Sequence, residues 1–262
     1  MQIVLTIAGS DSGGGAGIQA DLKTFHQFGV FGTSVVTAVT AQNTRGVRSW
    51  EPVSAGLVSA QLDAVVEDLA PAAVKTGMLG ARDVVLAVAA GIERHRLPNY
   101  VLDPVMVATS GDVLLEPDAV SAVRDRLVPL AALVTPNLHE AELLVGTRIT
   151  TEHDMAAAAE HLVRGLGARA GLVKGGHLEG PVVVDLLYSD GRHTRIENPR
   201  IQTTSTHGTG CTLSAAIAAN LALGNGLEDS VKAGIAFVQR AMQSAPGLGS
   251  GSGPLNHFAP AS

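Results

Sequence analysis

The stretch TTSTHGTGCTLSAAIAANLALG, residues 203–224, places two glycines and the chain's only cysteine directly ahead of a run of small helix formers. Ser205, Thr206 and Thr209 carry hydroxyls able to cap the helix expected over about 211–223. Leu213, Ile217 and Leu221 recur at helical spacing and give that helix one apolar face. A glycine-rich turn feeding such a helix leaves several backbone N–H groups without helical acceptors and aimed at one spot. That is a site for an anion, most naturally a phosphate. Cys211 sits at the helix start, where the dipole can lower a thiol pKa from about 8.5 into a range of roughly 3.5–7.5. It reads equally well as a small apolar residue filling a tight turn.

A second glycine-rich turn, GSDSGGGAG, spans residues 9–17. Neither G-x-x-x-x-G-K-[ST] nor G-x-G-x-x-G can be laid on it, and no lysine follows to hold a triphosphate. It reads as a close backbone approach to a small ligand, with Asp21 one turn into the next helix, or as a turn needing positive φ. Asp103 stands directly before Pro104, and Asn137 and Glu140 are spaced i, i+3. That spacing puts an amide and a carboxylate on one side of a first helical turn. Such groups hold Mg²⁺ through few direct ligands and several waters. Helix capping accounts for an Asn-x-x-Glu pair just as simply. Lys174, in VKGGH at the tip of an apolar run, is a point charge for a phosphate or a lysine reaching solvent. The nine histidines show no metal-binding spacing, and His207 alone lies beside the cradle.

The elements that must position these groups alternate regularly. Strands are expected over 3–8, 34–40, 73–75, 100–103, 132–135, 171–174 and 182–188, with a hairpin turning at Ser189, Asp190 and Gly191. Helices are expected over 17–28, 54–69, 82–94, 117–130, 137–145 and 152–167. Most of the strands are continuous apolar runs, which places them in a mostly parallel sheet covered on both faces by helices. Ligands in such a sheet sit at the carboxyl ends of the strands. Asp11, Gln42, Met78, Asp103, Asn137 with Glu140, and Lys174 follow or close successive strands, so one rim collects them. No linker or repeat interrupts the pattern, and one domain over 1–262 is expected.

Composition removes several function classes. Lys and Arg total 18 against 24 acidic residues, and aromatics are 3 %, which disfavours nucleic-acid binding. A single cysteine allows no intrachain disulfide and fits a cytoplasmic protein. The opening MQIVLTIAGSDSGGG lacks a positive lead and reads as a strand rather than a secretory signal. The apolar stretch over 84–92 is far short of the roughly 20 residues of a membrane span.

Together, IAGSDSGGGAGIQADLKTF (7–25), TAVTAQNTRGV (37–47), VKTGMLG (74–80), VLDPVMVATSGD (101–112), TPNLHEAELL (135–144), VKGGH (173–177), THGTGCTLSAAIAA (206–219) and GPLNHF (253–258) resemble the ribokinase-like superfamily of ATP-dependent sugar and vitamin kinases. Within it the chain is similar to the hydroxymethylpyrimidine/phosphomethylpyrimidine kinases of thiamine biosynthesis. The resemblance implies a three-layer α/β/α fold without a separate lid domain. It implies a cytoplasmic homodimer that uses ATP and Mg²⁺. By the same resemblance, the amides of Gly208, Thr209, Gly210 and Cys211 form the anion hole, with Cys211 where the superfamily has its aspartate base. Lys174, Asn137 and Thr206 serve ATP, and Glu140 with Asp103 serves the metal. Gln42 reads the pyrimidine in a pocket lined by Gly9, Ala16, Asp21, Thr40, Met78 and Val105. The expected reaction is phosphorylation of 4-amino-5-hydroxymethyl-2-methylpyrimidine and then of its monophosphate. A pyridoxal/pyridoxine kinase is the near alternative, and a non-catalytic pyrimidine-binding regulator the distant one.

Overall fold

The structure is a computed structural model and describes residues 1–107, 114–176 and 180–261. Its centre is a nine-stranded sheet in the order β3-β2-β1-β4-β5-β6-β7-β8-β9. The strands are β1 (Ile3–Ser10), β2 (Phe31–Asn43), β3 (Gly46–Pro52), β4 (Ala73–Thr76), β5 (Tyr100–Leu102), β6 (Leu133–Val134), β7 (Ala170–Val173), β8 (Val182–Ser189) and β9 (Arg192–Pro199). The six strands from β2 to β7 are mutually parallel. Antiparallel β3 closes one edge, and the β8–β9 hairpin extends the other. No separate lid sheet stands among the described residues.

The helices are α1 (Gly17–Gln27), α2 (Ala55–Asp68), α3 (Arg82–His95), α4 (Pro117–Ala122), α5 (Leu138–Val145), α6 (Glu152–Arg164), α7 (Thr209–Ala222) and α8 (Leu227–Gln243). Alternation along the buried strands assigns them to two layers. Val4, Val101, Leu133 and Leu172 face Phe25 of α1, Leu213 and Ile217 of α7, and Val231 and Ile235 of α8. Leu5, Ile7, Val74, Leu102 and Val134 face α2, α3, α5 and α6 through residues such as Leu62, Val88, Leu144 and Leu162. Both sheet faces are therefore covered, as the uninterrupted apolar strands predict.

Three local expectations change. A single helix over 117–130 is replaced by α4, a π-helical turn at Val123–Leu127 and a 3₁₀ turn at Val128–Leu130. Pro129 has no N–H for the carbonyl four residues back and its ring crowds that carbonyl, so regular α-geometry stops there. The helix α8 is absent from the sequence-based expectation. Gln42 lies inside β2 and pairs with Val47 of β3, rather than following the strand.

Candidate active site

The rim at the carboxyl ends of the parallel strands opens with the turn between β1 and α1. The Asp11 carboxylate accepts the Gly13 N–H at 2.7 Å on Oδ1, and the Gly15 and Ala16 N–H groups at 3.0 and 2.8 Å on Oδ2. This one side chain thus fixes a loop whose glycines have no stiffness of their own. Burial works against its charge, but the His207 ring and the Ala16 and Gly13 amides hold the carboxyl below the usual range. His207 Nε2 lies 2.8 Å from Asp11 Oδ2, tying the first loop to the cradle loop. A Cβ on Gly15 would sit 2.6 Å from the His207 ring, so the close approach requires glycine. Gln42 is bound to the same loop, its N–H donating to Ser12 Oγ at 2.8 Å.

The cradle itself is the first turn of α7. Its N-cap is Gly208, at φ 80°, and no side chain caps the helix. Ser205, Thr206 and Thr209 therefore do not take the capping role their hydroxyls suggest. The left-handed conformation explains why, because it favours glycine at that position. A Cβ on Gly208 would also run into the Gly15 carbonyl oxygen. The Thr209 N–H reaches the Thr206 carbonyl at a long 3.4 Å, and the first regular helical bond is from Thr212 N–H to the Gly208 carbonyl at 2.8 Å. The Gly210 and Cys211 N–H groups are consequently first-turn donors without helical acceptors.

Cys211 does not behave as the dipole argument alone suggests. Burial pushes its thiol up to about 11, reinforced by the charges of Asp21 and Asp103 and only partly offset by Lys75. The thiol is protonated at neutral pH.

A charged group faces this turn from strands further along the sheet. Lys174 Nζ lies 3.3 Å from Asp103 Oδ1, and a Cβ on Gly210 would be 3.2 Å from that ammonium. Burial opposes the Lys174 charge, but Asp103 and Glu140 hold it above its ordinary range. Asn137 and Glu140 form a reciprocal capping box on α5: Glu140 N–H donates to Asn137 Oδ1 at 2.9 Å, and Asn137 N–H to Glu140 Oε2 at 2.8 Å. Burial drives the Glu140 carboxyl up to about 7; Lys174 works against this and Asp103 adds to it. A capping carboxylate is usually exposed. Here it is 4 % exposed and sits where Lys174 and Asp103 converge, so capping does not exhaust its role.

Gly9, Ala16, Thr40, Gln42, Met78, Asp103, Val105, Asn137, Glu140, Lys174, Thr206, Gly208, Thr209, Gly210 and Cys211 all line one cleft of about 930 Å³. Of the sequence-predicted site residues, Asp21 alone is not on its wall. It is fully buried and bonded to Lys75 Nζ at 2.9 and 3.0 Å and to the Thr6 hydroxyl at 2.6 Å. A lysine on the neighbouring strand claims it before any ligand can. Lys75 itself escapes a sequence reading because one lysine in a strand looks like any side chain reaching for solvent. Its surroundings, the wholly buried run Ala73–Thr76, are the available signal. Asp185 is likewise missed; it lines the cleft and accepts the Gly175 N–H at 2.9 Å. The motif residues 108–112 and His177 lie outside the described residues.

This fold and rim define the ribokinase-like class of kinases: a parallel sheet with helices on both faces, a glycine turn at a helix start, and a lysine with two carboxylates facing it. Solved structures agree. A pyridoxal kinase of Bacillus subtilis in complex with ADP superposes with a TM-score of 0.91 at 38 % identity, covering 99 % of this chain and 98 % of that one. A phosphomethylpyrimidine kinase of Clostridium difficile 630 superposes with a TM-score of 0.82 at 40 % identity, covering 92 % and 99 %. The hydroxymethylpyrimidine/phosphomethylpyrimidine kinase of Rhizobium meliloti is 55 % identical over 259 residues, 98 % of this chain and 97 % of that protein. Residues 11–256 match the phosphomethylpyrimidine kinase family, and the chain belongs to it.

Proposed function

We propose that the protein transfers the γ-phosphoryl group of ATP to the hydroxymethyl oxygen of 4-amino-5-hydroxymethyl-2-methylpyrimidine. A second transfer, to the resulting monophosphate, gives the diphosphate used in thiamine biosynthesis. The observation that carries this reading is the convergence, in one cleft, of the uncapped α7 turn and Lys174 with a wall holding Gln42 and Met78. Phosphoryl transfer passes through a loose, charge-rich transition state, so fixed donors and cations do most of the catalysis. The Gly210 and Cys211 amides meet the oxygens of the migrating group, and Lys174 neutralises charge beside them. Thr206 and Asn137 face the nucleotide phosphates. Cys211 enters as a thiol, so it orients the acceptor hydroxyl rather than taking its proton in advance. A loose transition state demands little nucleophile activation, and the proton leaves late.

Glu140 and Asp103 are the groups that would hold Mg²⁺. Burial and mutual repulsion leave this pair short of countercharge. Among the described residues no group of three or more His, Cys, Asp or Glu side chains is placed to hold a metal ion by itself. Two carboxylates fit an ion held by few protein ligands, water and phosphate oxygens, and not a dedicated cage. Bound there, the ion would neutralise charge on the donor phosphates.

A second reading, pyridoxal kinase, is favoured by the 0.91 superposition on the Bacillus subtilis pyridoxal kinase. Homodimerisation and a cytoplasmic location belong to the proposal too. They rest on the family resemblance, the single cysteine and the lack, among the described residues, of a helix long and apolar enough to cross a membrane. ADP release with Mg²⁺ and each vitamer in turn tests the assignment. Faster turnover of the aminopyrimidine is expected; faster turnover of pyridoxal overturns it, and no turnover with either leaves only a binding protein.

A further inference from the structure

Thr212 follows Cys211 directly, is wholly buried, and its hydroxyl oxygen lies 3.1 Å from His257 Nε2. His257 belongs to the segment after α8, which the site described so far does not use. That segment is tied down along its length. Gly253 N–H donates to the Thr204 carbonyl and His207 N–H to the Gly253 carbonyl, both at 3.1 Å. Asn256 N–H donates to the Ala241 carbonyl at 3.0 Å, and Leu255 and Ala259 are buried in one cluster with Ala216 of α7 and Phe237 and Ala241 of α8. Upstream, Ser250 Oγ accepts Arg45 Nε–H at 2.7 Å. His257 is thereby delivered, 8 % exposed, to the side of α7 that carries Thr212.

The first turn of α7 needs such a hold. Its N-cap is a left-handed glycine, no side chain caps it, and helix ends left to themselves fray. Donors stabilise a migrating phosphoryl group only as far as they are fixed before the reaction begins. The segment bears on both ends of the run of donors. At one end a Cβ on Gly15 would be 3.1 Å from Pro254 Cβ, and Gly15 packs in turn on Gly208. At the other end His257 meets Thr212. We propose that His257 is a positioning residue for phosphoryl transfer, acting through Thr212 to hold the Gly210 and Cys211 N–H groups on their target. This rests on the reading of the α7 turn as the phosphoryl site.

The contact suits holding and not proton transfer. Burial, with the charge of Lys23 acting the same way, pushes the His257 imidazole down to about 4, so the ring is neutral at physiological pH. A neutral ring nitrogen shares one hydrogen bond with a hydroxyl and adds no charge behind the turn. Neither Thr212 nor His257 is on the cleft wall, so neither touches a ligand there. Donors aimed at a group in flight act in the transition state and add little to ground-state binding. Misplacing them therefore lowers kcat and leaves KM where it was.

The test measures kcat, and KM for ATP and for the aminopyrimidine, in the wild type, Thr212→Val, Thr212→Ser, His257→Leu, His257→Gln and the double variant Thr212→Val with His257→Leu. Assays run at a temperature where circular dichroism shows each variant folded. Thr212→Val removes the hydroxyl at nearly constant shape, and His257→Gln keeps a polar nitrogen at similar reach. In Thr212→Val and His257→Leu kcat should fall about tenfold, short of the roughly 10²–10³ that follows when a donor is removed outright. Both KM values should hold. The double variant should be no slower than either single one, because the two substitutions break one contact. Thr212→Ser and His257→Gln should keep most of the rate. A wild-type kcat in Thr212→Val, losses that multiply in the double variant, or a loss carried by KM overturns the proposal. Should His257→Leu not fold, the Thr212 pair decides, and equal rates in Thr212→Val and Thr212→Ser contradict it. A wild type that forms no phosphorylated pyrimidine contradicts the proposed function instead.

Discussion

Lys75 Nζ lies 2.9 Å from Asp21 Oδ2, and neither side chain is exposed to solvent. The pair sits beneath the cleft, where β4 and α1 pass under the first turn of α7. Burial works against the Lys75 charge, but Asp21, Cys211 and Asp103 hold the ammonium above its ordinary range. Burial alone would push Asp21 toward its neutral form. Two contacts from the ammonium and one from Thr6 describe an ionised carboxylate, and the pair is best written as a buried ion pair. Removing one partner strands the other charge. Lys75→Met should cost about 3–5 kcal/mol in denaturant unfolding. Thr24→Ser, also buried but uncharged, should cost far less, and equal losses would argue against an ion pair.

The thiol of Cys211 should alkylate slowly at neutral pH. Burial is the dominant influence on it and pushes its pKa up to about 11. The rate with iodoacetamide should still be climbing at pH 10. A plateau below pH 9 would show a thiolate at rest and restore the base role. Cys211→Ala should lose most kinase activity and keep pyrimidine binding, whereas an unchanged kcat would remove the sulfur from the mechanism.

How much of this was legible in the sequence depends on whether a residue's role is local. The Gly208–Cys211 turn is readable because glycines before a helix have few other uses, and the rim follows from strand order. The capping hydroxyls misled, since the N-cap is Gly208, in a left-handed conformation and packed so closely on Gly15 that no side chain fits there. Asp21 lies at the right depth in α1 for the pocket, yet the neighbour that claims it is 54 residues away in β4. Lys75, Asp185 and the Asp11–His207 contact are invisible for the same reason: their partners come from other elements of the fold. The Cys211 thiol fails differently, through two opposing effects of which only the dipole is local.

Glu140 gives the metal-free protein a pH dependence of definite sign. Its folded pKa of about 7 lies above the unfolded value of about 4.3, so between these the folded state binds more protons. Stability should therefore fall as pH rises from about 4.5 to 7, by on the order of 2 kcal/mol. Glu140→Gln should flatten that slope in urea titrations of the metal-free protein. A slope that survives the substitution would place the titrating group elsewhere.

Gly208→Ala should be far more damaging than an ordinary surface substitution. It forces a side chain into a left-handed residue at about 1–2 kcal/mol and adds a collision with the Gly15 carbonyl. Displacing the α7 turn removes aligned donors, for which a loss of about 10²–10³ in kcat is expected. Circular dichroism checks that the fold persists. A folded variant with wild-type kcat would remove the turn from the phosphoryl site.

The central claim, that the uncapped α7 turn and Lys174 transfer a phosphoryl group onto a pyrimidine held against Gln42, is tested most directly by ³¹P NMR of a single reaction. Purified protein, MgATP and 4-amino-5-hydroxymethyl-2-methylpyrimidine are followed over time. The account predicts a phosphomonoester signal that rises first and gives way to a diphosphate pair, with ADP formed at each step. ATP left intact, or ADP formed with inorganic phosphate and no pyrimidine ester, would contradict it.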